Sequence, residues 1–473
     1  MKIYSFILYG FDLTAVEIEI SFLNGLPGIK FLGQADAAIK ESEIKIKSAL
    51  KHQGFDLPRG KQILINLKPA HLKKRSHGLE FAVACAILWQ TGQIPLPPYQ
   101  KVYVYGELGL QGEVFAPHDL EALTRGLDGP LITGKNNQLD HPTIQVSHLS
   151  DLKSLSPPQG GRSLLNIKRP KIEEISFDQT QSFALKLIAL GEHNALLAGP
   201  SGSGKTTFVK SILPLLQEPS SDLLRRSKRI NSLVGYDVSW RPFVDPHHTI
   251  TPLAMVGGGY PIFPGEVSRA HAGILYLDEL LEFNSKVKEA LREPIESGCM
   301  TIRRKADHLK VPAKFLLLAS SNLCPCGDLV PGKIQSCRFS LTRCRSYLEK
   351  LSGPLLDRFS ILIMSDGWRK EKTISLRQTY KEICEVREFV RRVRPQVKTV
   401  NGQLDPVHIA LDSFIRKNLL PELSQSLRRS KALIQVARTC ADIEMSEEIK
   451  AHHIEQAARL SVYPFEAIKN IFN

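Results

Sequence analysis

The apolar residues of this chain recur with two different periods, and each period predicts one type of element. In residues 36–52 they fall mostly on one face of a 3.6-residue repeat, which predicts an amphipathic helix: Ala37, Ile39, Ile44, Ile46 and Leu50. Short apolar runs at 63–67 and 102–105 predict strands. Residues 1–155 therefore predict a domain of mixed helices and strands.

A stretch rich in Pro, Gly and Ser, SLSPPQGGRS at 154–163, has no periodicity and predicts a linker. We place the linker at 156–171, a second domain at 172–365 and a third at 366–473. The third segment predicts helices, because apolar residues recur at helical spacing in 405–415, 433–441 and 453–460.

The composition is that of a folded protein with several domains. Of the 473 residues, 42% are hydrophobic and 23% are charged, and the chain is too long for a single core. No apolar run approaches the length that spans a bilayer, and the first residues, MKIYSFILYG, predict a strand rather than a signal peptide. Eight cysteines without a secretion signal favour a reducing compartment, so we expect a cytoplasmic protein without a membrane partner.

The net charge of +14 leaves two interpretations open. Basic residues cluster at 225–229, 303–305, 391–394 and 428–431. Such clusters favour a polyanionic partner such as nucleic acid, but a solvated basic surface would give the same composition. Charge alone does not decide between the two.

The sequence GPSGSGKTT fits a phosphate-binding loop at every position: Gly199, Pro200, Ser201, Gly202, Ser203, Gly204, Lys205, Thr206 and Thr207. The glycines let the backbone wrap closely around an anion, Lys205 can reach the β- and γ-phosphates, and the Thr206 hydroxyl can ligate Mg²⁺. An apolar run at 195–198 predicts a buried strand before the loop, and a helix is expected after it. The chain is therefore expected to bind a nucleoside triphosphate.

Two further apolar strands end in polar residues that suit ATP hydrolysis. The run GILYLDE at 273–279 ends in Asp278, which suits Mg²⁺ binding, and Glu279, which suits the general base for the attacking water. The strand at 315–319 leads to Asn322, which could hold that water, although a strand cap would use the same residue. Together with the loop, these residues predict hydrolysis of the nucleotide.

Two arginines could place positive charge against the γ-phosphate. Arg358 in GPLLDRF is a candidate for donation to a neighbouring subunit. Arg428 opens a helix of the third segment and could touch the same nucleotide from that lid. Both residues also suit ordinary surface salt bridges.

Taken in order, these motifs resemble the magnesium-chelatase-related AAA+ ATPases, specifically the ComM/YifB group. The resemblance is carried by RPFVDPHHT at 241–249, VGGGYPIFPGEVSRAHAGILYLDEL at 256–280, SSNLCPCG at 320–327 and LSGPLLDRF at 351–359. It extends to GLPGIKFLGQADAAIKES at 25–42, GELGLQGEV at 106–114 and SLRRSKALIQVARTCAD at 426–442. Almost the full chain participates.

The resemblance implies an α/β fold: an AAA+ P-loop NTPase core with a helical lid, preceded by an α+β N-terminal domain of the Lon-protease type. It implies ATP and Mg²⁺ as cofactors and a hexameric ring. The implied activity is that of a DNA helicase that promotes branch migration in recombination or natural transformation. A chelatase-type motor subunit that remodels a protein partner shares this core and is the alternative function.

The chain departs from the family pattern in two places. Val244 and Asp245 stand where members usually carry a basic residue, and the C-terminal tail lacks the usual Tyr-Arg ending. Separately, Ser76 has no specifically placed lysine with which to form a protease dyad, so no peptidase activity is expected.

Residues 298–312 predict a hairpin with a basic tip, and hairpins of this kind project into the central pore of related rings. Arg303, Arg304 and Lys305 would contact DNA phosphates there without reading base sequence. An ordinary surface hairpin has the same pattern, so both interpretations stay open.

Four cysteines after the third strand could close a tetrahedral zinc site: Cys324, Cys326, Cys337 and Cys344. The family often carries two C-x-C pairs here, but Phe339 stands where the second partner is expected, so unliganded cysteines are the alternative. The adjacent His247 and His248 are expected on a strand, hence on opposite sides of it and in a structural role.

Overall fold

A computed structural model of the chain describes residues 2–9, 11–32, 37–68, 78–117, 120, 127–135, 141–160, 167–259, 262–304, 307–328, 339–351, 353–365, 373–397, 399–412, 415, 420 and 426–469. The chain divides into two compact units. The first comprises Met1–Asn166 and Lys228–Asp237, and the second comprises Ile167–Ser227 and Val238–Asn473. The domain boundaries predicted from the sequence stay predictions.

The described residues of Met1–Asn166 in the first unit form a mixed sheet and two α-helices. Its strands are, in chain order, β1 (Lys2–Tyr9), β2 (Asp12–Asn24), β3 (Gly28–Leu32), β4 (Lys61–Lys68), β5 (Lys101–Val104), β6 (Glu107–Leu108), β7 (Val114–Phe115), β8 (Leu131–Thr133), β9 (Pro142–Gln145) and β10 (Gln159–Gly160). Eight of them form one sheet in the order β10-β9-β8-β5-β1-β2-β4-β3, and β6 pairs with β7. Strand β10, which pairs with β9, lies within the stretch predicted as linker.

Helices α1 (Ala37–His52) and α2 (Leu79–Gln90) differ in the width of their apolar face. Helix α1 confirms the amphipathic pattern predicted for 36–52, and strands β4 and β5 confirm the two predicted strands. Helix α2 is buried from Leu79 to Trp89 because its sequence, LEFAVACAILWQ, is apolar on every face. The Lon-protease type of this unit stays a prediction.

The second unit is built on a parallel sheet. Its strands are β11 (Ser176–Phe177), β12 (Ala195–Ala198), β13 (Phe243–Val244), β14 (Gly257–Gly258), β15 (Phe263–Pro264), β16 (Ile274–Leu277), β17 (Cys299–Arg304), β18 (Asp307–Pro312), β19 (Leu316–Ser321), β20 (Ile361–Met364) and β21 (Ile374–Ser375). Five strands form the parallel sheet in the order β13-β16-β19-β12-β20. The remaining strands form two-stranded pairs: β11 with β21, β14 with β15, and β17 with β18.

Hydrophobic side chains cover both faces of this sheet. Ala195 and Leu197 of β12 belong to one buried cluster, whereas Leu196 and Ala198 belong to another. A strand buried on both faces reads as a continuous apolar run, which is why ALLA shows no alternation.

The helices that follow α2 are α3 (Gln179–Gly191), α4 (Lys205–Ile212), α5 (Ser221–Ser232), α6 (Pro252–Val256), α7 (Glu266–Arg269), α8 (Ser285–Ala290), α9 (Arg292–Ser297), α10 (Leu341–Leu348), α11 (Gly353–Leu356), α12 (Leu376–Val393), α13 (Leu427–Ile443), α14 (Ala451–Ser461) and α15 (Tyr463–Lys469). Helices α13 and α14 confirm the patterns at 433–441 and 453–460. The predicted helix at 405–415 is wrong over 405–412, where only Pro406–His408 form a 3₁₀ turn. Ile409 and Leu411 there pack against the core without a helix, so tertiary packing overrides the local period. Among the described residues, no helix is long and apolar enough to cross a membrane.

Candidate active site

Four strands of the parallel sheet deliver the candidate site residues to one edge. The loop that begins at Gly199 follows β12, Asp245 follows β13, Asp278 follows β16, and Asn322 follows β19. All four strands run parallel, so these residues meet at the edge formed by the strands' carboxyl ends.

Backbone hydrogen bonds and glycine geometry shape the loop. The N–H groups of Gly199 and Ser201 donate to the carbonyls of Ser321, at 3.1 Å, and Gly327, at 2.9 Å. A Cβ on Gly199 would lie 2.5 Å from the Ser365 carbonyl oxygen, so no larger residue fits there without a backbone shift. Gly204 takes the left-handed conformation, φ +80°, as the residue that caps α4.

Lys205 lies inside this loop with its ammonium group largely removed from solvent. Its Nζ donates to the carbonyls of Gly199, at 3.0 Å, and Pro200, at 2.7 Å, and to Oδ1 of Asn322 at 3.1 Å. Burial lowers the pKa of Lys205, while the charges of Asp278 and Glu279 oppose the shift. The structure thus brings together the lysine and the asparagine that the sequence placed 117 residues apart.

The loop fits a polyphosphate. The Ser203 hydroxyl is buried and has no hydrogen-bond partner among the described residues, and a buried polar group of this kind calls for a ligand or water. A desolvated ammonium and the N-terminus of the eight-residue helix α4 both favour negative charge. These features suit the phosphates of a nucleoside triphosphate.

Asp278 is fixed by a network that reaches back to the loop. Its Oδ1 accepts from the Tyr276 hydroxyl at 2.8 Å and from the Ser320 hydroxyl, and the Tyr276 hydroxyl also interacts with Thr206. Tyr276 therefore connects the two residues predicted to hold Mg²⁺. A carboxylate and a hydroxyl are the hard oxygen donors that Mg²⁺ prefers, and here they lie beside the candidate phosphate-binding loop. Sequence reasoning missed Tyr276 because it read the residue only as part of an apolar strand.

Glu279 adopts a backbone conformation that few non-glycine residues take, with φ +53° and ψ +51°. Its N–H donates to Asp278 Oδ1 at 3.1 Å and to Ser320 Oγ at 3.3 Å, which holds the backbone in place. The side chain is about half exposed and its carboxylate lies 4.0 Å from His248 Nδ1. Such local strain is typical of functional sites.

The expectation that His247 and His248 point to opposite sides is wrong. Their ring centroids lie 4.2 Å apart, because both residues belong to the loop after β13 rather than to the strand. His248 therefore lies beside Glu279, which sequence reasoning also missed.

Asp245 is a third carboxylate at this edge. Removal from solvent raises its pKa, and the negative charge of Asp278 raises it further. The sequence shows that Asp245, like Asp278, directly follows a short apolar run, which is a signal for a residue at the edge of the sheet. Sequence reasoning treats Asp245 only as a departure from the family pattern and so misses this role.

Arg358 lies at the opposite edge of the sheet from the loop. Strand β20 begins at Ile361, which pairs with Ala195 at the start of β12, whereas the loop begins after Ala198 at its end. At about 3.3 Å per residue, at least about 10 Å of strand separates Arg358 from the loop of its own chain.

Arg428 lies beside Arg358, because both side chains bind the same carboxylate. Glu296 Oε1 accepts from Arg358 at 2.7 Å and from Arg428 at 2.8 Å. The adjacent Arg429 anchors α13 to α11 and the turn before β20 by donating to the carbonyls of Leu356, at 2.7 Å, and Phe359, at 3.0 Å.

Strands β17 and β18 form the predicted hairpin, and Arg303 and Arg304 belong to β17. Arg303 pairs with His308, and Arg304 pairs with Asp307. Lys305 lies outside the described residues, as do the side-chain positions of Arg303 and Arg304.

The predicted zinc ligands form no three-residue cluster among the described residues. The sulfur atoms of Cys324 and Cys326 lie 3.0 Å apart and Cys344 is buried, while Cys337 lies outside the described residues. In the described part of the chain, only Glu444, His452 and His453 group as metal ligands could.

This histidine cluster does not suit a metal ion. His453 Nδ1 accepts the backbone N–H of Lys450 at 2.9 Å, so the neutral ring carries its proton on Nε2, which donates to Glu444. Metal-bound histidines have the reverse arrangement, in which the second ring nitrogen donates. Glu444 and His453 therefore serve to join the ends of α13 and α14.

Comparison with known proteins gives a consistent result over nearly the whole chain. The family model "Magnesium chelatase, subunit ChlI" matches residues 171–373, and "Subunit ChlI of Mg-chelatase" matches residues 16–124. The chain is 31% identical over 483 residues to the uncharacterized protein YifB of Escherichia coli, covering 95% of this chain and 94% of that protein. It is 28% identical over 497 residues to the competence protein ComM of Haemophilus influenzae, covering 96% of each. It is 24% identical over 324 residues to the magnesium-chelatase 38 kDa subunit of Chlorobaculum parvum, covering 62% of this chain and 82% of that subunit.

Proposed function

Because the chain belongs to the ComM/YifB family of magnesium-chelatase-related proteins, we propose that it is a ring-forming AAA+ ATPase that uses ATP hydrolysis to move along DNA. The mixed α/β second unit with its parallel sheet fits a magnesium-chelatase-like P-loop fold. The observation that carries the proposal is the meeting of Lys205, Asn322 and Asp278 at one edge of that sheet.

The predicted site residues have distinct roles in hydrolysis. Lys205 and the loop N–H groups other than those of Gly199 and Ser201 hold the phosphates, and Thr206 and Asp278 would hold Mg²⁺, which neutralises charge on the phosphate oxygens when bound. Glu279 takes a proton from the attacking water, and Asn322 orients that water. Asn322 lies next to the proposed phosphate site, because its amide oxygen accepts a hydrogen bond from the ammonium group of Lys205. Zinc is not included in this proposal.

Arg358 acts on the nucleotide of a neighbouring protomer, since a strand length separates it from its own loop. Arg428 shares Glu296 with Arg358, so we assign it to the neighbour's nucleotide as well, rather than to the nucleotide of its own chain. A site that takes residues from two protomers requires assembly, and head-to-tail repetition of one such contact forms a ring when the rotation between protomers closes. A hexamer is the expected size.

DNA is the proposed substrate along which the ring moves. The net charge of +14 and the β17–β18 hairpin, whose first strand ends in Arg303 and Arg304 and is followed in the sequence by Lys305, favour contacts with phosphates. A relative named as a competence protein further supports a role in the processing of incoming DNA, and branch migration is the proposed reaction. We place this activity in the cytoplasm.

ATPase assays with and without single-stranded and forked DNA test the proposal, with Lys205→Ala as the inactive control. We expect DNA to stimulate turnover, less so as salt rises, and the purified protein to move a branch point in a three-stranded substrate. If DNA does not change the rate of ATP turnover at any salt concentration, the proposed movement along DNA is refuted, whereas the proposed ATPase activity is not. Activity that requires a partner protein complex would favour the chelatase-type motor instead.

A further inference from the structure

Glu296 connects the two arginines that the proposed function assigns to the neighbouring nucleotide. Its Oε1 atom alone accepts from Nη2 of Arg358 at 2.7 Å and from Nη2 of Arg428 at 2.8 Å. The three side chains come from α9, from the turn before β20 and from the first turn of α13. One carboxylate thus ties the sheet to the C-terminal helices.

The charges in this cluster do not balance. Two guanidinium groups share one carboxylate, which leaves a charge of +1, and nearby Arg292 forms its own ion pair with Glu289. Burial lowers the pKa of Arg358, Glu296 opposes that shift, and the charges of Arg428 and Arg292 add to it. Without Glu296, Arg358 and Arg428 would be neighbouring like charges that no longer share a carboxylate.

The degree of burial separates the two arginines. The Arg358 side chain is only 6% exposed, whereas Arg428 and Glu296 are 54% and 49% exposed. Arg358 also donates through Nη1 to the Pro354 carbonyl, so its position is fixed on two sides. Among the described residues, Arg428 pairs with Glu296 and depends on that carboxylate for its orientation.

We propose that Glu296 is a positioning residue of the hydrolysis site, which sets Arg358 and Arg428 side by side so that both reach the same phosphate of the neighbour's ATP. The proposal rests on the proposed function. The remaining positive charge complements the negative charge that develops on the γ-phosphate, and a preorganised cation is more effective there than a mobile one.

The first test compares Glu296→Ala with Glu296→Gln. The alanine variant should lower kcat by at least about tenfold while it changes the KM for ATP much less, because nucleotide binding uses the loop of the same chain. The glutamine variant keeps an acceptor oxygen at the same position and should recover part of the lost rate. Glu349→Ala is the matched control, since Glu349 is an exposed carboxylate that pairs with Arg345 of its own helix turn.

The second test mixes two impaired variants. A Glu279→Gln protomer lacks the general base but keeps Glu296, so it can complete the site of a Glu296→Ala neighbour. At equal amounts, about a quarter of the interfaces in a randomly mixed ring are then intact, and turnover should exceed that of either variant alone. A role confined to one chain gives no such recovery.

Several results would overturn the proposal. Turnover of Glu296→Ala at or above the wild-type rate would show that the arginines need no such support. An equal loss in Glu296→Gln, accompanied by loss of the ring or a lower thermal midpoint, would show a purely structural role, as would mixtures without recovery. If the wild-type protein turns over no faster than Lys205→Ala, the proposed ATPase itself fails, and the positioning role falls with it.

Discussion

Acidification should loosen the C-terminal helices from the nucleotide-binding sheet through one imidazole, that of His193. His193 lies in the turn between α3 and β12, where its ring is fully buried and its Nε2 lies 2.8 Å from the Thr439 hydroxyl of α13. That hydroxyl donates to the Gln435 carbonyl and accepts from Asn401, so His193 Nε2 must be the donor to it. The neutral ring therefore carries its proton on Nε2.

The other ring nitrogen has nowhere to place a proton. Nδ1 is buried without a hydrogen-bond partner among the described residues, and burial holds the pKa of His193 at about 3, against an ordinary 6.5. The unfolded chain accepts the proton near pH 6.5 and the folded chain does not, so stability falls as pH falls below 6.5. The loss amounts to about 2 kcal/mol by about pH 5 and about 4 kcal/mol near pH 3.

The measurement is urea unfolding, followed by tryptophan fluorescence, at about pH 7.5 and about pH 5. His193→Gln is the comparison, because glutamine can donate to Thr439 in place of Nε2 but does not titrate. We expect the wild type to lose about 2 kcal/mol more than the variant between these two pH values. If both proteins lose the same free energy, the burial argument for His193 is refuted.

Three further predictions address the site and the packing around it. Tyr276→Phe removes the hydroxyl that joins Asp278 to Thr206. We therefore expect ATP turnover to be about tenfold slower and to require a higher Mg²⁺ concentration. Titration of the ATPase activity with Mg²⁺ measures both effects, and a titration curve identical to that of the wild type would contradict the prediction. Gly402→Ala places a Cβ 2.6 Å from the Gly191 carbonyl oxygen and should lower the free energy of unfolding by about 1–3 kcal/mol. Gly353→Ala is the control, because its Cβ has no neighbour within 4 Å and should not destabilise the protein. Equal thermal midpoints for the two variants would contradict the prediction. Burial raises the pKa of Glu80, so the ionised carboxylate is unfavourable in the folded state and stability falls as pH rises above the ordinary pKa of the group. Glu80→Gln should therefore gain thermal stability relative to wild type at about pH 8 and lose that advantage at about pH 4.

Local sequence was sufficient for elements whose residues lie next to one another. The amphipathic pattern at 36–52 gave α1, and the apolar runs gave β12, β16 and β19, each followed by polar residues. These predictions succeed because helix and strand periods depend on neighbouring residues, and parallel strands bring their ends to one edge. The pattern at 405–415 failed because Ile409 and Leu411 find apolar partners without forming a helix.

The candidate phosphate-binding loop follows from local sequence alone, since the glycines, Lys205 and Thr206 that shape it are contiguous. Local sequence also shows that Asp278, Glu279 and Asn322 follow apolar strands. The pairing of distant side chains is visible only in the folded chain: Tyr276 meets Thr206, His248 meets Glu279, and Arg358 and Arg428 meet at the Glu296 carboxylate. Such contacts depend on the order of strands in the sheet and on how α13 packs against the second unit's core. Neither can be predicted from the local spacing of apolar residues.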